Sequence, residues 1–224
     1  MYNSVTVSYL KHAFFKLSDK KTTVFIDPYS KIGNLNPPKL SDKPDIIAVT
    51  HEHPDHNNRD YASDKTYIVS NPGEYDIAEV SVVGVNSFHD KSKGQDRGMN
   101  TMYSINFNGV NFVHLGDLGD ILDNSQIEDL GIVDVLFIPV GGHYTIDAKD
   151  AVKVIEQLNP NIIVPMHYKE KGDTQSPLAF IDDFLNIFPA TSLEVETLEV
   201  NKTEFQDEDF ETKVILFKDP DPRV

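Results

Sequence analysis

Ile46-Ile47-Ala48-Val49-Thr50-His51-Glu52-His53-Pro54-Asp55-His56 runs from an apolar stretch straight into three imidazoles and a carboxylate. The first five residues have the composition of a buried strand, so the polar cluster stands at a strand end. If residues 51–55 stay extended, the two-residue period sends His51, His53 and Asp55 to one side. There two imidazoles can share a metal ion, the carboxylate can reach a neighbouring one, and His56 can serve that second ion. Pro54 stiffens the turn, and Asn57 or Asn58 can cap a following helix. A surface loop that merely happens to be rich in histidine gives no reason for this spacing. The zinc-protease pattern H-E-x-x-H fails, because the fourth residue after His51 is Asp55. Residues 117–128 are not a calcium loop, since Gly119 and Ile121 stand where the second and third ligands belong.

Before this motif the chain reads as short strands at 5–10, 14–17 and 22–26, with Asp19-Lys20-Lys21 joining the last two as a hairpin. Residues 34–44, with three prolines, read as an irregular loop. After the motif come strands at 66–70 and 80–85. A hairpin then pairs 101–107 with 110–115 about Asn108-Gly109, a dipeptide suited to the φ > 0 positions of a two-residue turn. Residues 133–138 form an apolar strand and 148–158 a helix with Ala151, Val152, Ile155 and Leu158 at helical spacing, followed by a strand at 162–164. A second amphipathic helix is expected over 178–188, and 214–217 as an edge strand. The acidic run 204–211 reads as a solvated turn.

The chain has 224 residues, 39% of them hydrophobic, enough for one substantial core; a single domain over 1–224 is expected. No apolar run approaches the roughly 20 residues of a membrane helix. The N-terminus has no basic segment leading into an apolar stretch, so the cytoplasm is the expected location. With no cysteine, any metal must be bound by nitrogen and oxygen. The net charge of −16 argues against nucleic acid and anionic membrane as partners. A small molecule is the expected substrate, and homo-oligomerisation is left open.

Further segments follow the strand-end cluster in order: Ser87-Phe88-His89-Asp90, His114-Leu115-Gly116-Asp117 and Pro165-Met166-His167-Tyr168. Together with H-x-H-x-D-H they resemble the signature of the metallo-β-lactamase superfamily, over residues 5 to about 170. The runs Arg97-Gly98-Met99-Asn100-Thr101, Pro139-Val140-Gly141-Gly142 and Tyr144-Thr145-Ile146-Asp147 are similar to its branch of small hydrolases that includes ascorbate-6-phosphate lactonase. The resemblance implies an α/β fold, a four-layer αββα sandwich with metals at one edge of two sheets. It also implies that His51, His53 and His89 hold one divalent ion, that Asp55, His56 and His167 hold a second, and that Asp117 bridges them. Zinc suits such a histidine-rich set, with manganese or iron open.

The mechanism implied is attack by a bridging hydroxide on an ester, lactone or similar carbonyl, with Asp55 handling the water proton. His143 and Tyr144 are candidate catalytic groups: His143 is either a proton donor in the site or an exposed loop histidine, while Tyr144 or Tyr168 could donate to developing charge. The N–H groups of Gly141 and Gly142 are weaker candidates for an oxyanion. His114 is either a hydrogen bonder at the core edge or a support for a ligand. His12 matches no motif and is read as a surface residue. Two alternatives stand beside the hydrolase of carbonyl substrates. One is a phosphodiesterase acting on a small phosphodiester, and the other is a non-catalytic metal-binding or sensing protein on the same fold.

Overall fold

Val5, Val7 and Tyr9 are buried while Thr6 and Ser8 are half-buried, the alternation of a strand with one face on a core. The computed structural model describes residues 3–188, 190–207 and 210–218. The first sheet is built from β1 (Val5–Tyr9), β2 (Phe15–Ser18), β3 (Thr23–Ile26), β4 (Ile46–Ala48) and β5 (Tyr67–Val69), joined later by β13 (Leu198–Val200). Its order is β13-β1-β2-β3-β4-β5. Asp19-Lys20-Lys21 closes the β2–β3 hairpin, Asp19 accepting the backbone N–H groups of Lys21 and Thr22.

The second sheet holds β6 (Gly73–Ile77), β7 (Val80–Phe88), β8 (Met99–Phe107), β9 (Val110–His114), β10 (Val135–Pro139), β11 (Ile162–Met166), β12 (Thr191–Val195) and β14 (Lys213–Phe217). The order is β12-β14-β11-β10-β9-β8-β7-β6. Asn108 and Gly109 turn the β8–β9 hairpin with φ of 51° and 83°, the left-handed pair that the dipeptide predicts. Strands β9, β10 and β11 run parallel, so their C-terminal ends share one edge with those of β3 and β4, themselves parallel.

The sheets face each other across a core that includes Phe15, Leu17, Ile26, Tyr103, Phe112 and Phe137. A second core lies between the eight-stranded sheet and the helices α1 (Asn124–Leu130), α2 (Ala148–Leu158) and α3 (Ile181–Leu185). The outer face of the six-stranded sheet buries Phe14, Phe25, Tyr29, Ile47 and Val49 under Leu35, Leu40 and Tyr61. That layer is thin: loop residues and the 3₁₀ turn Arg59–Tyr61 cover it, and Asn58 caps this turn. In α2 the buried stripe is Ala151, Val154, Ile155 and Leu158, so Val154 and not Val152 is fully inside, while Asp147 caps the N-terminus through two backbone N–H groups.

Three sequence expectations change. The second amphipathic helix is only Ile181–Leu185, because Ala179 is held extended, donating to the Gly141 carbonyl (2.8 Å) and accepting from Lys169 N–H (2.8 Å). Strand β14 is interior, not an edge. The edge is β12, whose mostly exposed side chains carry no apolar pattern to announce it. Residues 51–56 are not extended, since the strand ends at Ala48 and the motif winds through bends and a turn closed by His56 N–H on the His53 carbonyl (3.0 Å). Burial still alternates along it, with Glu52 and Pro54 exposed while His51, His53 and Asp55 turn inward. In the acidic run, Lys202–Gln206 forms a 3₁₀ turn capped by Asn201, and residues 208–209 lie outside the described residues. Among the described residues no helix is long and apolar enough to cross a membrane.

Candidate metal centre

Each expected ligand arrives from the end of a strand at the shared edge: residues 51–56 follow β4, His89 follows β7, Asp117 follows β9 and His167 follows β11. Thr50 begins the placement. Asp27, just past β3, accepts Thr50 N–H (2.8 Å), Thr50 Oγ1–H (2.6 Å) and His56 Nδ1–H (2.7 Å), so one buried carboxylate ties both ends of the motif together. With its own proton given to Asp27, Thr50 Oγ1 accepts from His51 Nδ1 at 3.0 Å. These bonds make Nδ1 the donor in His51 and His56 and turn each Nε2 to the site; burial would lower His56, but Asp117 and Asp27 raise it well above its ordinary value, so an ion there would displace the Nε2 proton.

Asp117 lies at the centre, 2% exposed. Its Oδ2 faces His89 Nε2 (3.1 Å) and His51 Nε2 (3.9 Å), and its Oδ1 faces His56 Nε2 (3.2 Å) and His167 Nε2 (3.3 Å). Asp55 Oδ2 is 3.8 Å from His56 Nε2. The rings of His51, His53 and His89 stand within 5.1 Å of one another, centroid to centroid. Three sets offer ligand atoms within 4.8 Å of one another: His51 with His53 and His89; His51 with His56 and Asp117; and His12 with Asp55, His56 and His167.

The chemistry of these donors fits divalent ions. His51 Nε2, His56 Nε2, both ring nitrogens of His167 and Asp117 Oδ1 are buried without a hydrogen-bond partner. Leaving a buried polar group unpaired costs about 1–3 kcal/mol, so a cluster of them points to another electrophilic partner. Burial, then the neighbouring His56, pushes His51 down to about 3, and burial with His89 beside it lowers His53. Both rings are therefore neutral at physiological pH, as a ligand must be. Burial would raise Asp117 and Asp55. For Asp117 the charges of His167 and His56 overcome it, and for Asp55 the His12 hydrogen bond and His56 do, leaving both carboxyls below the ordinary range.

His12 is not a surface residue. It is 9% exposed in the turn between β1 and β2, with Nε2 3.3 Å from Asp55 Oδ2 and its ring 4.2 Å from that of His167. Its carbonyl accepts His167 N–H (3.0 Å) and the Tyr9 hydroxyl (3.1 Å), which holds it at a φ of 61°. No spacing rule could have found it, because its partners come from distant parts of the chain. Asp27 was also missed. Its only sequence signal is a carboxylate directly after a buried strand. His114 uses both nitrogens, Nε2–H donating to Ala13 O (3.0 Å) and Nδ1 accepting Gly116 N–H (3.1 Å), so it is a core hydrogen bonder that also shapes the approach to Asp117.

Beside the second set of ligands opens a cleft of about 510 Å³, lined by His12, Asp55 and His167 together with Leu35, Tyr144 and Tyr168. Tyr144 thus faces the site. His143 is exposed at a φ of 57°, stacks edge-on against Tyr144 at 4.4 Å and does not line the cleft. The Gly142 N–H is engaged by the Ile146 carbonyl (3.3 Å), which removes it as an oxyanion donor. Gly141 serves close approach instead: a Cβ there would meet the His167 carbonyl at 2.1 Å.

The comparisons with known proteins agree with this geometry. The family model of the β-lactamase superfamily domain matches residues 6–167. A UPF0173 metal-dependent hydrolase of Thermococcus kodakarensis is 33% identical, covering 78% of this chain and 88% of the relative, and one from Pyrococcus furiosus is 32% identical with the same coverage. A crystal structure of a protein from Thermotoga maritima, assigned as a Zn-dependent hydrolase of the metallo-β-lactamase superfamily, superposes with a TM-score of 0.75 at 31% identity. That match covers 96% of this chain and 100% of the other. The strand-end histidines, the central aspartate and these relatives lead to one conclusion: the chain belongs to the metallo-β-lactamase superfamily, within its metal-dependent hydrolases.

Proposed function

We propose that this chain is a dinuclear hydrolase that cleaves a small-molecule ester, lactone or related carbonyl substrate. The observation that carries the reading is the division of Asp117, one oxygen toward His51 and His89 and the other toward His56 and His167. On this reading His51, His53 and His89 hold one ion, Asp55, His56 and His167 the other, and Asp117 both. Such a pair of ions, zinc by the preference of imidazole ligands or else manganese or iron, supplies a Lewis acid and a water acidic enough to attack at neutral pH.

The chain's own groups do the rest. Asp55, held ionised, orients the attacking water through the oxygen that His12 does not occupy. The phenol of Tyr144 lines the cleft and donates to the oxygen on which charge develops, and His143 steadies Tyr144 from outside. Leu35 and Leu178 narrow the cleft and limit water around the substrate.

Elemental analysis of wild type, His53→Ala and Asp117→Ala tests this, run beside a screen of lactones, esters and phosphodiesters. About two ions per wild-type chain are expected, with metal and hydrolysis lost together in Asp117→Ala. Phosphate-containing products would move the reading to a phosphodiesterase. A wild-type chain that takes up none of zinc, manganese or iron would overturn it, and a fully loaded chain inert to every substrate class would favour a sensor.

A further inference from the structure

Each carboxylate around the cleft makes at least one contact, although Glu170 keeps one buried oxygen without a partner, while Lys171 on its lining and Arg97 beside Tyr144 form no ion pair among the described residues. Asp55 belongs to the metal centre, Glu170 pairs with Lys11 at 2.9 Å, and Asp173 accepts the backbone N–H groups of Gln175 and Ser176. Lys171 also lines the cleft and is exposed, and among the described residues it forms no ion pair. Arg97 likewise pairs with no carboxylate among the described residues; its guanidinium sits 4.4 Å over the ring of Tyr144, a cleft-lining residue. This is unexpected in a chain with 36 acidic and 20 basic residues, where a guanidinium has many candidate partners.

Arg97 is also fixed in place. Its backbone N–H donates to Asp90 Oδ2 (2.8 Å), and Asp90 further accepts the N–H groups of Ser92, Gly94 and Asp96, so one side chain organises the loop. The next residue, Gly98, accepts the N–H of His89 (3.1 Å). Arg97 therefore stands beside the first ligand set through its backbone, and over the cleft of the second through Tyr144. An aromatic ring under the guanidinium holds its plane without consuming its N–H donors, which suits a planar fork awaiting an oxyanion.

We propose that Arg97, with Lys171 on the cleft rim, binds an anionic group of the substrate, a carboxylate or phosphate set apart from the bond that is cleaved. The inference rests on the hydrolase reading above and adds the substrate class to it. The general field of a −16 chain repels anions, so such a substrate needs a local cationic grip at the mouth. A bidentate guanidinium contact supplies it.

The test is calorimetric binding of small acids to the zinc-loaded chain, with zinc content measured on the same sample. Succinate, glutarate and adipate are compared with butyrate, so that one carboxylate reaches the metals and a second reaches Arg97. Wild type is expected to prefer at least one diacid by about tenfold or more. In Arg97→Gln that preference falls toward unity, Arg97→Lys recovers part of it, and Lys171→Gln weakens it less. Replacing one carboxylate of the best diacid by a phosphonate identifies which oxyanion the grip favours. A zinc-loaded wild type that binds butyrate without preferring any diacid, or a preference that survives in Arg97→Gln, overturns the anion grip while the hydrolase reading stands. A chain that takes up none of zinc, manganese or iron overturns both.

Discussion

At the scale of single residues, the site is governed by the atoms that hold the ligands more than by the ligands alone. Asp27 touches no metal in the proposed arrangement, yet its Oδ2 makes Nδ1 the donor in His51, through Thr50, and in His56 directly. Asp27→Ala leaves His56 Nδ1–H buried and unpaired, and both imidazoles free to rotate. Zinc affinity, read by chelator competition, is expected to fall about 10–100-fold, the usual cost of removing a ligand's hydrogen-bond partner. Unchanged affinity would show that the strand ends alone position the rings. His12 makes the parallel case at Asp55. Its Nε2 occupies Oδ2 at 3.3 Å and its carbonyl anchors His167 N–H, so His12→Ala removes the first interaction and keeps the second. We expect about a tenfold loss of zinc affinity with little change in thermal stability. A large loss of stability with metal retained would make His12 a packing residue only.

Elements decide how closely the ligand-bearing loops can meet. Gly141, at the exit of β10, lies so near the exit of β11 that an added Cβ would fall 2.1 Å from the His167 carbonyl. Gly141→Ala must therefore push His167 from its place, with a destabilisation of about 1–3 kcal/mol in denaturant titration and loss of metal from the second set. Asp147 supplies the contrast. It caps α2 through Lys149 and Asp150 N–H, and α2 packs behind the sheet with none of the expected ligands on it. Asp147→Ala is expected to cost about 1 kcal/mol and to leave metal content unchanged, so the two variants separate strain at the site from loss of a helix cap.

Elements also differ in how far the sequence announces them. The Asn108-Gly109 hairpin and the helix Ala148–Leu158 were legible because a turn dipeptide and an apolar stripe are local signals. The truncation of the helix expected over 178–188 was not, because the bonds from Ala179 to Gly141 and Lys169 are tertiary and override local periodicity. Strand β12 was silent for the opposite reason, since an edge strand with exposed side chains has no apolar face to show.

For the whole molecule, the same division explains what was readable in the site. The strand-end motif, His89, Asp117 and His167 stood out as a set through a family resemblance, and the fold brings them to one edge. Asp27 and His12 were invisible, as each matters only through partners on other strands. The assembled cluster is a buried concentration of imidazoles and carboxylates, several with no hydrogen-bond partner, and the native state should depend on the ions that pair them. Any ligand that binds only the folded chain stabilises it by RT ln(1 + [L]/Kd), about 2.7 kcal/mol when free metal is a hundredfold above Kd. For a chain of this size roughly 2–4 °C accompany each kcal/mol. Stripping the metal with EDTA is therefore expected to lower the melting temperature by roughly 5–10 °C for each such site emptied, and added zinc should restore it. The drop should shrink in Asp117→Ala, which cannot hold the ions together even when they are supplied. If the metal-free wild type melts where the loaded chain does, the buried imidazoles satisfy one another without ions, and the cluster is a structural network and not a metal centre.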